Sequence, residues 1–357
     1  MKSRLRPYVL AILLPLTLSA QGRPESLRIV DLGTLPDGLT DTSFATGINT
    51  RGEVVGVSYV RVSPDREVAR PFLWTKGTMT ELPPLPGGAT AVATGINNRG
   101  DIVGSSDGPA GDHAVLWRRR GVVRDLGALT EGAPSGALAI NNAGQIVGHS
   151  WTADGQYHAV LWDRGTIVDL GTLPGGTTSD AYAINDRGQV VGWSADATGQ
   201  GRAVLWDRGA IVDLGTLPGG EPAVATGINN RGTVSGWSWT TTPEGVIYHA
   251  FVWDGDELVD VGTLPGGFAS DAFGINNAGE ITGSSDNAAR DFVYAYVFRR
   301  GVPVQLPSFQ NGGHAIGMAI NERGDVVGQA VTSLGAAHAV LWTGAKDLRQ
   351  NESGRAR

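Results

Sequence analysis

Residues 181–213 read AYAINDRGQVVGWSADATGQGRAVLWDRGAIVD, and the connector DLGTLPGG continues from Asp213. Within this stretch lies the pattern Ile-Asn-x-x-Gly-x-Val/Ile-x-Gly, which returns along the whole chain. Its seven copies begin at Ile48, Ile96, Ile140, Ile184, Ile228, Ile275 and Ile320. A nearly constant period of 44–48 residues is typical of a repeat architecture.

Each copy divides into four short apolar segments, which the fourth copy shows clearly. Its segments are residues 181–185, 189–194, 202–206 and 210–214. They are rich in Val, Ile, Leu and Trp, and Gly, Asn or Asp bounds each of them, as expected of β-strands. No sustained helical period follows residue 20. We therefore predict four strands in every copy.

The turns between these segments have their own chemistry. Gly188 fits the left-handed position that follows a type I turn, which gives a hairpin with a one-residue bulge. We expect Asp207-Arg208-Gly209 to join the third and fourth segments in the same way. Each copy is then two hairpins, which together form a four-stranded antiparallel sheet.

Residues 158–162, His-Ala-Val-Leu-Trp, show how the sheets pack. Successive side chains of a strand point to opposite faces, so both faces of this sheet are apolar and both need a cover. Stacking the sheets around an axis covers them. We predict an all-β fold, a seven-bladed β-propeller of four antiparallel strands per blade, over residues 27–348.

Closure of the ring leaves alternatives, because the fourth-strand motif occurs eight times. It appears first at Asp31-Leu32-Gly33 and last at Asp347-Leu348. We expect residues 27–33 to close the ring beside the third strand of the last blade, near Trp342, with residues 346–348 displaced or added as an outer edge. Eight blades or an incompletely closed ring are the alternatives.

The N-terminal 20 residues have the layout of a secretory signal peptide. A basic start, with Lys2, Arg4 and Arg6, precedes an apolar run over residues 8–18, and Ala20 is a suitable cleavage position. An uncleaved anchor is the alternative, although the run is shorter than the roughly 20 residues of a membrane span. We predict an exported protein (extracellular, cell-surface or periplasmic), with residues 21–26 as a linker and residues 349–357 as a disordered tail.

Composition narrows the classes of partner. The net charge is −7, the chain has no cysteine, and no basic cluster follows the leader. Nucleic acid and anionic membrane surfaces are therefore poor partners. We expect no cofactor, no membrane contact beyond the signal peptide, and a monomer.

Histidines recur once per copy in several copies and could suggest a ring of metal ligands. However, a matched polar residue follows eleven positions later. The pairs are His158–Asp169, His249–Asp260, Arg202–Asp213, Arg70–Glu81 and Tyr294–Gln305. Such positions are neighbours across a hairpin, so we interpret them as one polar pair per blade and predict no metal site. His113 and Asp125 are one residue further apart, and His338 and Asp347 are two residues closer. The spacing therefore supports pairing less strongly in these two copies.

Three motifs together resemble the bacterial extracellular HAF-repeat proteins. They are His249-Ala250-Phe251-Val252-Trp253, the connector Asp-Leu-Gly-Thr-Leu-Pro-Gly-Gly and the Ile-Asn-Asn-x-Gly-x-Val-x-Gly hairpin. The resemblance covers nearly all of residues 31–342, although the His-Ala-Phe triplet itself occurs only once. It implies export and a repeat architecture, and it implies no catalytic residue.

Binding residues are expected where the copies differ. In a propeller, the loops between second and third strands emerge on one face together with the blade connectors, and loops on a rigid scaffold are a usual seat of binding. Exposed Trp and Tyr there suit a sugar or a protein partner. The candidates are Trp151, Tyr157, Trp193, Trp237, Trp239 and Tyr248. Alternatively, Trp193 and Trp237 extend the second strand and pack under the loops.

Candidate catalytic groups are few. His149, at the start of a variable loop, and His314 are the two unrepeated histidines. Acids on or near the same face are Asp107, Asp112, Asp180, Asp271 and Asp286. No calcium-loop, His-Glu-x-x-His or Gly-x-Ser-x-Gly motif is present. We predict a non-catalytic binding module that recognises an extracellular protein or glycan. A secreted hydrolase or lyase with a site at the channel mouth, or a structural envelope protein, are the alternatives.

Overall fold

The computed structural model describes residues 27–36, 41–63, 65–118, 122–243, 245–289, 293–309 and 313–344. These ranges hold 28 β-strands in seven four-stranded antiparallel sheets. The predicted seven-bladed β-propeller is thus confirmed. Within the described ranges, no helix has the length and apolar character needed to cross a membrane. The predicted signal peptide (1–20), linker (21–26), outer edge (346–348) and tail (349–357) lie outside the described residues.

The strands follow one another in the same order in each blade, from the central channel outward. The first strand in the chain is β1 (Arg28–Gly33). Blade 1 holds β2 (Thr42–Ile48), β3 (Val54–Ser63), β4 (Arg66–Thr75) and β5 (Thr78–Glu81). Blade 2 holds β6 (Ala91–Ile96), β7 (Ile102–Ser106), β8 (His113–Arg118) and β9 (Val122–Asp125). Blade 3 holds β10 (Ser135–Ile140), β11 (Ile146–Trp151), β12 (Tyr157–Asp163) and β13 (Thr166–Asp169).

The remaining blades repeat this order. Blade 4 holds β14 (Ser179–Ile184), β15 (Val190–Ala195), β16 (Gly201–Asp207) and β17 (Ala210–Gly215). Blade 5 holds β18 (Ala223–Ile228), β19 (Val234–Thr242), β20 (Gly245–Trp253) and β21 (Leu258–Asp260). Blade 6 holds β22 (Ser270–Ile275), β23 (Ile281–Ser285), β24 (Tyr294–Arg299) and β25 (Val302–Gln305). Blade 7 holds β26 (Ala315–Ile320), β27 (Val326–Val331) and β28 (Ala337–Thr343).

The N-terminal strand completes the last blade. β1 pairs antiparallel with β28, and Ile29 lies opposite Trp342, as the sequence predicts. The sheet order β1-β28-β27-β26 shows that blade 7 takes its outer strand from the start of the chain. The ring therefore closes with seven blades, and the alternatives of eight blades or an open ring are wrong.

The hydrophobic core is divided among the interfaces between blades. In β12, Trp162 packs into the interface with blade 2, beside Val103. Ala159 of the same strand packs into the interface with blade 4, beside Ala181 and Val204. The alternation of β12 therefore serves two cores at once, which is why both faces of a blade are apolar.

The Asn of each Ile-Asn motif explains the repeat. Asn185 Oδ1 accepts hydrogen bonds from the N–H groups of Arg187 and Gln189, both at 3.0 Å, which holds its own turn. Asn185 Nδ2 donates to the Asn229 carbonyl of the next blade, at 3.0 Å. Gly188 follows with φ of 79°, in the left-handed region, as predicted.

The same inter-blade bond joins all seven blades into a ring. Its other donors and acceptors, at 3.0–3.2 Å, are Asn49 to Asn97, Asn97 to Asn141, Asn141 to Asn185, Asn229 to Asn276, Asn276 to Asn321 and Asn321 to Asn49. The bond from Asn321 to Asn49 closes the ring across the seam between the last and first blades.

The turn between the third and fourth strands differs from the prediction. Asp207 lies directly opposite Ala210, so the loop has only two residues. Both have positive φ, 52° at Arg208 and 81° at Gly209, which defines a type I′ turn instead of a type I turn with a bulge. Type I′ matches the right-handed twist of the flanking strands, which is tight in this short outer hairpin.

Two of the connections between second and third strands, which are predicted to be loops, are largely strand. Residues 59–68 belong mainly to β3 and β4, and residues 239–248 belong mainly to β19 and β20. Both segments are rich in residues that favour strands, Val and Tyr in the first and Trp, Thr, Val, Ile and Tyr in the second, and the hairpins extend beyond the rest of the blade. Trp239 and Tyr248 are therefore strand residues that face each other.

The predicted polar pairs form as hydrogen bonds across the outer hairpins. The side chains of His158–Asp169, His249–Asp260, Arg202–Asp213, Arg70–Glu81 and His113–Asp125 meet at 2.7–3.1 Å. Tyr294 and Gln305 occupy the same diagonal positions, because Tyr296 lies opposite Gln305. His338 Nδ1 meets Asp31 at 2.9 Å. Asp347, the acid that follows His338 within its own copy, lies outside the described residues.

Candidate functional site

The six predicted aromatic residues lie at the end of the blades where the second strand turns into the third. Trp151, Trp239 and Tyr248 are 40%, 36% and 40% exposed. Tyr157, Trp193 and Trp237 are half-buried. Trp193 and Trp237 do extend the second strand, in β15 and β19, but neither is enclosed in the core.

The structure brings these residues together as two groups. In the first group, which we call the aromatic row, Tyr157 contacts Trp151 and Trp193 with ring centroids 6.0 and 6.2 Å apart. Trp151 and Tyr157 lie opposite each other where β11 meets β12, whereas Trp193 belongs to blade 4. The row therefore spans two blades.

The second group lies on blade 5. Trp237 and Tyr248 have ring centroids 6.4 Å apart, and Trp239 lies opposite Tyr248 in the extended hairpin. Among the described residues, no ring contact links this group to the aromatic row. The six predicted residues therefore form two groups of contacting side chains.

His149 lies beside the aromatic row. It is not at the start of a loop, as predicted, but within β11, where it faces Gly136 of the inner strand β10. A Cβ atom at Gly136 would lie only 2.9 Å from His149 Nε2. The imidazole therefore occupies space that a side chain fills in the other blades. The residues at this inner-strand position elsewhere are Phe44, Val92, Asp180, Val224, Asp271 and Ile316.

Asp180 of blade 4 orients this imidazole. His149 Nδ1 and Asp180 Oδ1 are 3.2 Å apart, and the Asp180 side chain is largely buried. Burial alone would lower the pKa of His149, but the hydrogen bond and the charge of Asp180 together raise that pKa above its ordinary value. His149 Nε2 makes no hydrogen bond to any described residue and lies on the side of the ring next to Gly136.

The charge of Asp180 also affects the pKa values of two tyrosines. Burial, supported by the charge of Asp180, raises the pKa of Tyr182 to about 12. The same two causes raise the pKa of Tyr157. Both phenols are therefore neutral at physiological pH and act as hydrogen-bonding groups, not as bases.

A pocket of about 400 Å³ opens between blades 2 and 3, next to His149. Its wall includes Gly136 and Trp151, and its other lining residues include Ser105, Asp107 and Asp112. We call it the Gly136 pocket. Pockets of this size commonly hold small ligands, with apolar walls and a few polar groups that fix orientation.

Three of the remaining predicted acids, Asp107, Asp271 and Asp286, hold loops or neighbouring strands in place. Asp107 Oδ1 accepts the N–H groups of Ala89 and Thr90, both at 2.7 Å. Asp286 Oδ1 accepts the N–H of Phe268 at 2.6 Å, and Asp271 Oδ1 accepts the Ser284 hydroxyl at 2.6 Å.

These acids do not converge on one point. Within the described part of the chain, no three His, Asp or Glu side chains are placed to share a metal ion. The second unrepeated histidine also serves a loop, since His314 Nδ1 accepts the N–H of Val293 at 3.3 Å.

Sequence reasoning missed the Gly136 pocket. A glycine inside one inner strand carries no local signal, because its own copy still matches the repeat. Comparing the same position across all seven copies would have found it, since only the third copy has Gly there.

Comparisons with known proteins agree on the fold. No family model matches the chain, and no curated protein matches it. The β-propeller domain of the trilobed protease from Pyrococcus furiosus is 10% identical with a TM-score of 0.55, over 85% of this chain and 96% of that domain. The acylaminoacyl peptidase of Pyrococcus horikoshii is 10% identical with a TM-score of 0.53, over 90% of this chain and 55% of the peptidase. At this identity, the likeness shows the propeller fold alone.

Proposed function

We propose that this protein is an exported, non-catalytic binding module that recognises an extracellular glycan or protein through the face that carries its aromatic residues. The aromatic row carries the proposal, with Trp151 exposed and Tyr157 and Trp193 half-buried beside it. A row of rings that continues across two blades offers a rigid surface of low conformational entropy, which suits recognition.

The exposure of these rings argues against a purely structural role. A propeller that needed only a sealed surface would bury its large aromatic side chains, since each buries up to about 150–250 Å². Here Trp151 and Trp239 keep more than a third of their surface open to solvent. The motif resemblance to HAF-repeat proteins supports an extracellular location.

A hydrolase or lyase is the second candidate function, and the His149–Asp180 pair favours it. A carboxylate that holds one imidazole nitrogen leaves the other free to transfer a proton, which is how general bases are oriented. Among the described residues, no nucleophilic side chain is hydrogen-bonded to this imidazole, so a binding role for the same pair ranks first.

The test uses the full-length protein on an array of immobilised glycans and in pull-downs of secreted proteins. Trp151→Ala and Trp239→Ala should each weaken binding at least tenfold if their groups take part. Leu334→Ala is the matched control, because Leu334 is 88% exposed but lies on blade 7, away from both groups. If a ligand binds wild type and both Trp variants equally, the proposed face is wrong. Cleavage of a bound glycan that His149→Gln abolishes would establish the enzymatic candidate instead.

A further inference from the structure

We propose that the Gly136 pocket binds one neutral sugar residue, with Trp151 as the stacking wall and His149 as the polar anchor. This inference rests on the proposed function and specifies its ligand. The pocket adjoins the aromatic row at Trp151, which belongs to both.

One missing side chain sets the position of the His149 ring in the wall of the pocket. Blades 2 and 5 carry Val92 and Val224 where blade 3 has Gly136, and either side chain would collide with the His149 ring in its present position. The ring can approach Gly136 this closely only because that residue has no Cβ. Gly136 and His149 therefore form the site together.

Three polar groups of the pocket have no hydrogen bond to any described residue. They are the Ser105 hydroxyl, the Asp112 carboxylate and His149 Nε2. By contrast, Ser106 and Ser135 in the same wall are already bonded to backbone groups. Free groups that include both an acceptor and a donor match sugar hydroxyls, which need both.

The apolar part of the wall complements the other face of a sugar. Val92, Leu138 and Pro134 line the pocket with Trp151, whose ring is accessible from solvent. A pyranose presents C–H groups on one face and hydroxyls around its rim. The indole can cover the first while Asp112 and His149 bind the second.

The charge of the lining selects against acidic sugars. Asp107 and Asp112 line the pocket, and none of the described lining residues is Lys or Arg. A carboxylate or phosphate on the ligand would be repelled by these acids, and no Lys or Arg among the described lining residues offsets the repulsion. The ligand class is therefore a neutral hexose or N-acetylhexosamine residue, either free or at the end of a longer glycan.

Gly136→Val tests the pocket, because it installs the side chain that blades 2 and 5 already carry. The full-length protein is titrated with methyl glycosides of neutral hexoses and N-acetylhexosamines, and with glucuronic and sialic acid glycosides. Wild type should bind at least one neutral glycoside and no acidic one, and Gly136→Val should bind it at least tenfold more weakly. Val224→Ile, at the same ring position on blade 5, should bind like wild type.

Asp112→Asn is the second variant, since Asp112 is exposed and its replacement leaves the fold intact. The proposal that the pocket binds a neutral sugar would be overturned if wild type preferred an acidic glycoside. It would also be overturned if Gly136→Val and Asp112→Asn both bound the sugar as wild type does. If Trp151→Ala and Trp239→Ala weaken glycan binding while Gly136→Val does not, the pocket is not the binding site. The proposal that the aromatic face binds glycans is then supported. If neither set of variants changes binding, both proposals fail.

Discussion

His338 on β28 and Asp31 on β1 are separated by 307 residues, yet His338 Nδ1 and the Asp31 carboxylate are 2.9 Å apart. His338 Nε2 also meets Asp41 Oδ1 at 2.7 Å. One imidazole therefore bridges two carboxylates from the start of the chain. It lies at the junction where β1 completes blade 7, so the ring seam depends on its protonation.

Stability should fall with rising pH because of this bridge. Burial alone would lower the pKa of His338, but its hydrogen bonds to Asp31 and Asp41 raise that pKa. The folded pKa thus lies above the unfolded one. The stabilisation is complete below a pH of about 6.5 and is lost as the pH rises through the folded value.

Thermal melting of wild type and His338→Gln between pH 5.5 and 8.5 measures this effect. The melting temperature of wild type should fall more steeply across the range. His149 and His249 also have raised pKa values, so the variant keeps a reduced slope. Equal slopes in the two proteins would show that the seam is insensitive to this proton.

Asn229→Ala should destabilise the protein by about 2–3 kcal/mol. The change removes the bond from Nδ2 to the Asn276 carbonyl and leaves the N–H groups of Arg231 and Thr233 without their acceptor. Urea unfolding measures the difference. Arg231→Ala is the control in the same turn, because Arg231 uses only its backbone N–H there, and it should change stability by less than about 0.5 kcal/mol.

Arg208→Asn should stabilise the protein by about 0.5–1 kcal/mol. Arg208 has φ of 52° in a type I′ turn, and its side chain is 94% exposed, so its charge contributes little. Asn tolerates the left-handed region better than Arg does. The midpoint of urea unfolding should rise. A fall would mean that the arginine side chain contributes more to the turn than its exposure indicates.

Asp180→Asn should lower the pKa of His149. The amide cannot supply the negative charge that outweighs burial, so the remaining effect of burial favours the neutral ring. Titration of the His149 ring protons by NMR measures the change. An unchanged pKa would mean that Asp180 does not control the imidazole. It would also weaken the argument that Asp180 orients His149 in the Gly136 pocket.

Much of the fold could be predicted because its determinants are local and repeated. Gly188 marks a turn within four residues, and the alternation from His158 to Trp162 reports both faces of one strand. The closing position of residues 27–33 also followed, since an unmatched fourth-strand motif needs a third strand beside it. Period and alternation were sufficient for these features.

The site was less predictable because its relationships cross between copies. The residues of the aromatic row could be named, but the contact of Tyr157 with Trp193 depends on how two blades meet. The space over Gly136 exists only once β10 and β11 are paired. Likewise, the partner of His338 lies at the opposite end of the chain, where spacing within one copy gives no guidance.

The exchange of β1 into blade 7 sets an order for biosynthesis. β1 leaves the ribosome before every other described strand, whereas its partner β28 leaves last. Its edge must stay unpaired while the intervening blades are made, and an exposed edge is prone to pairing with another chain. A protein truncated before β28 would therefore keep the edge of β1 unpaired and prone to association. In the complete protein, β28 pairs with that edge.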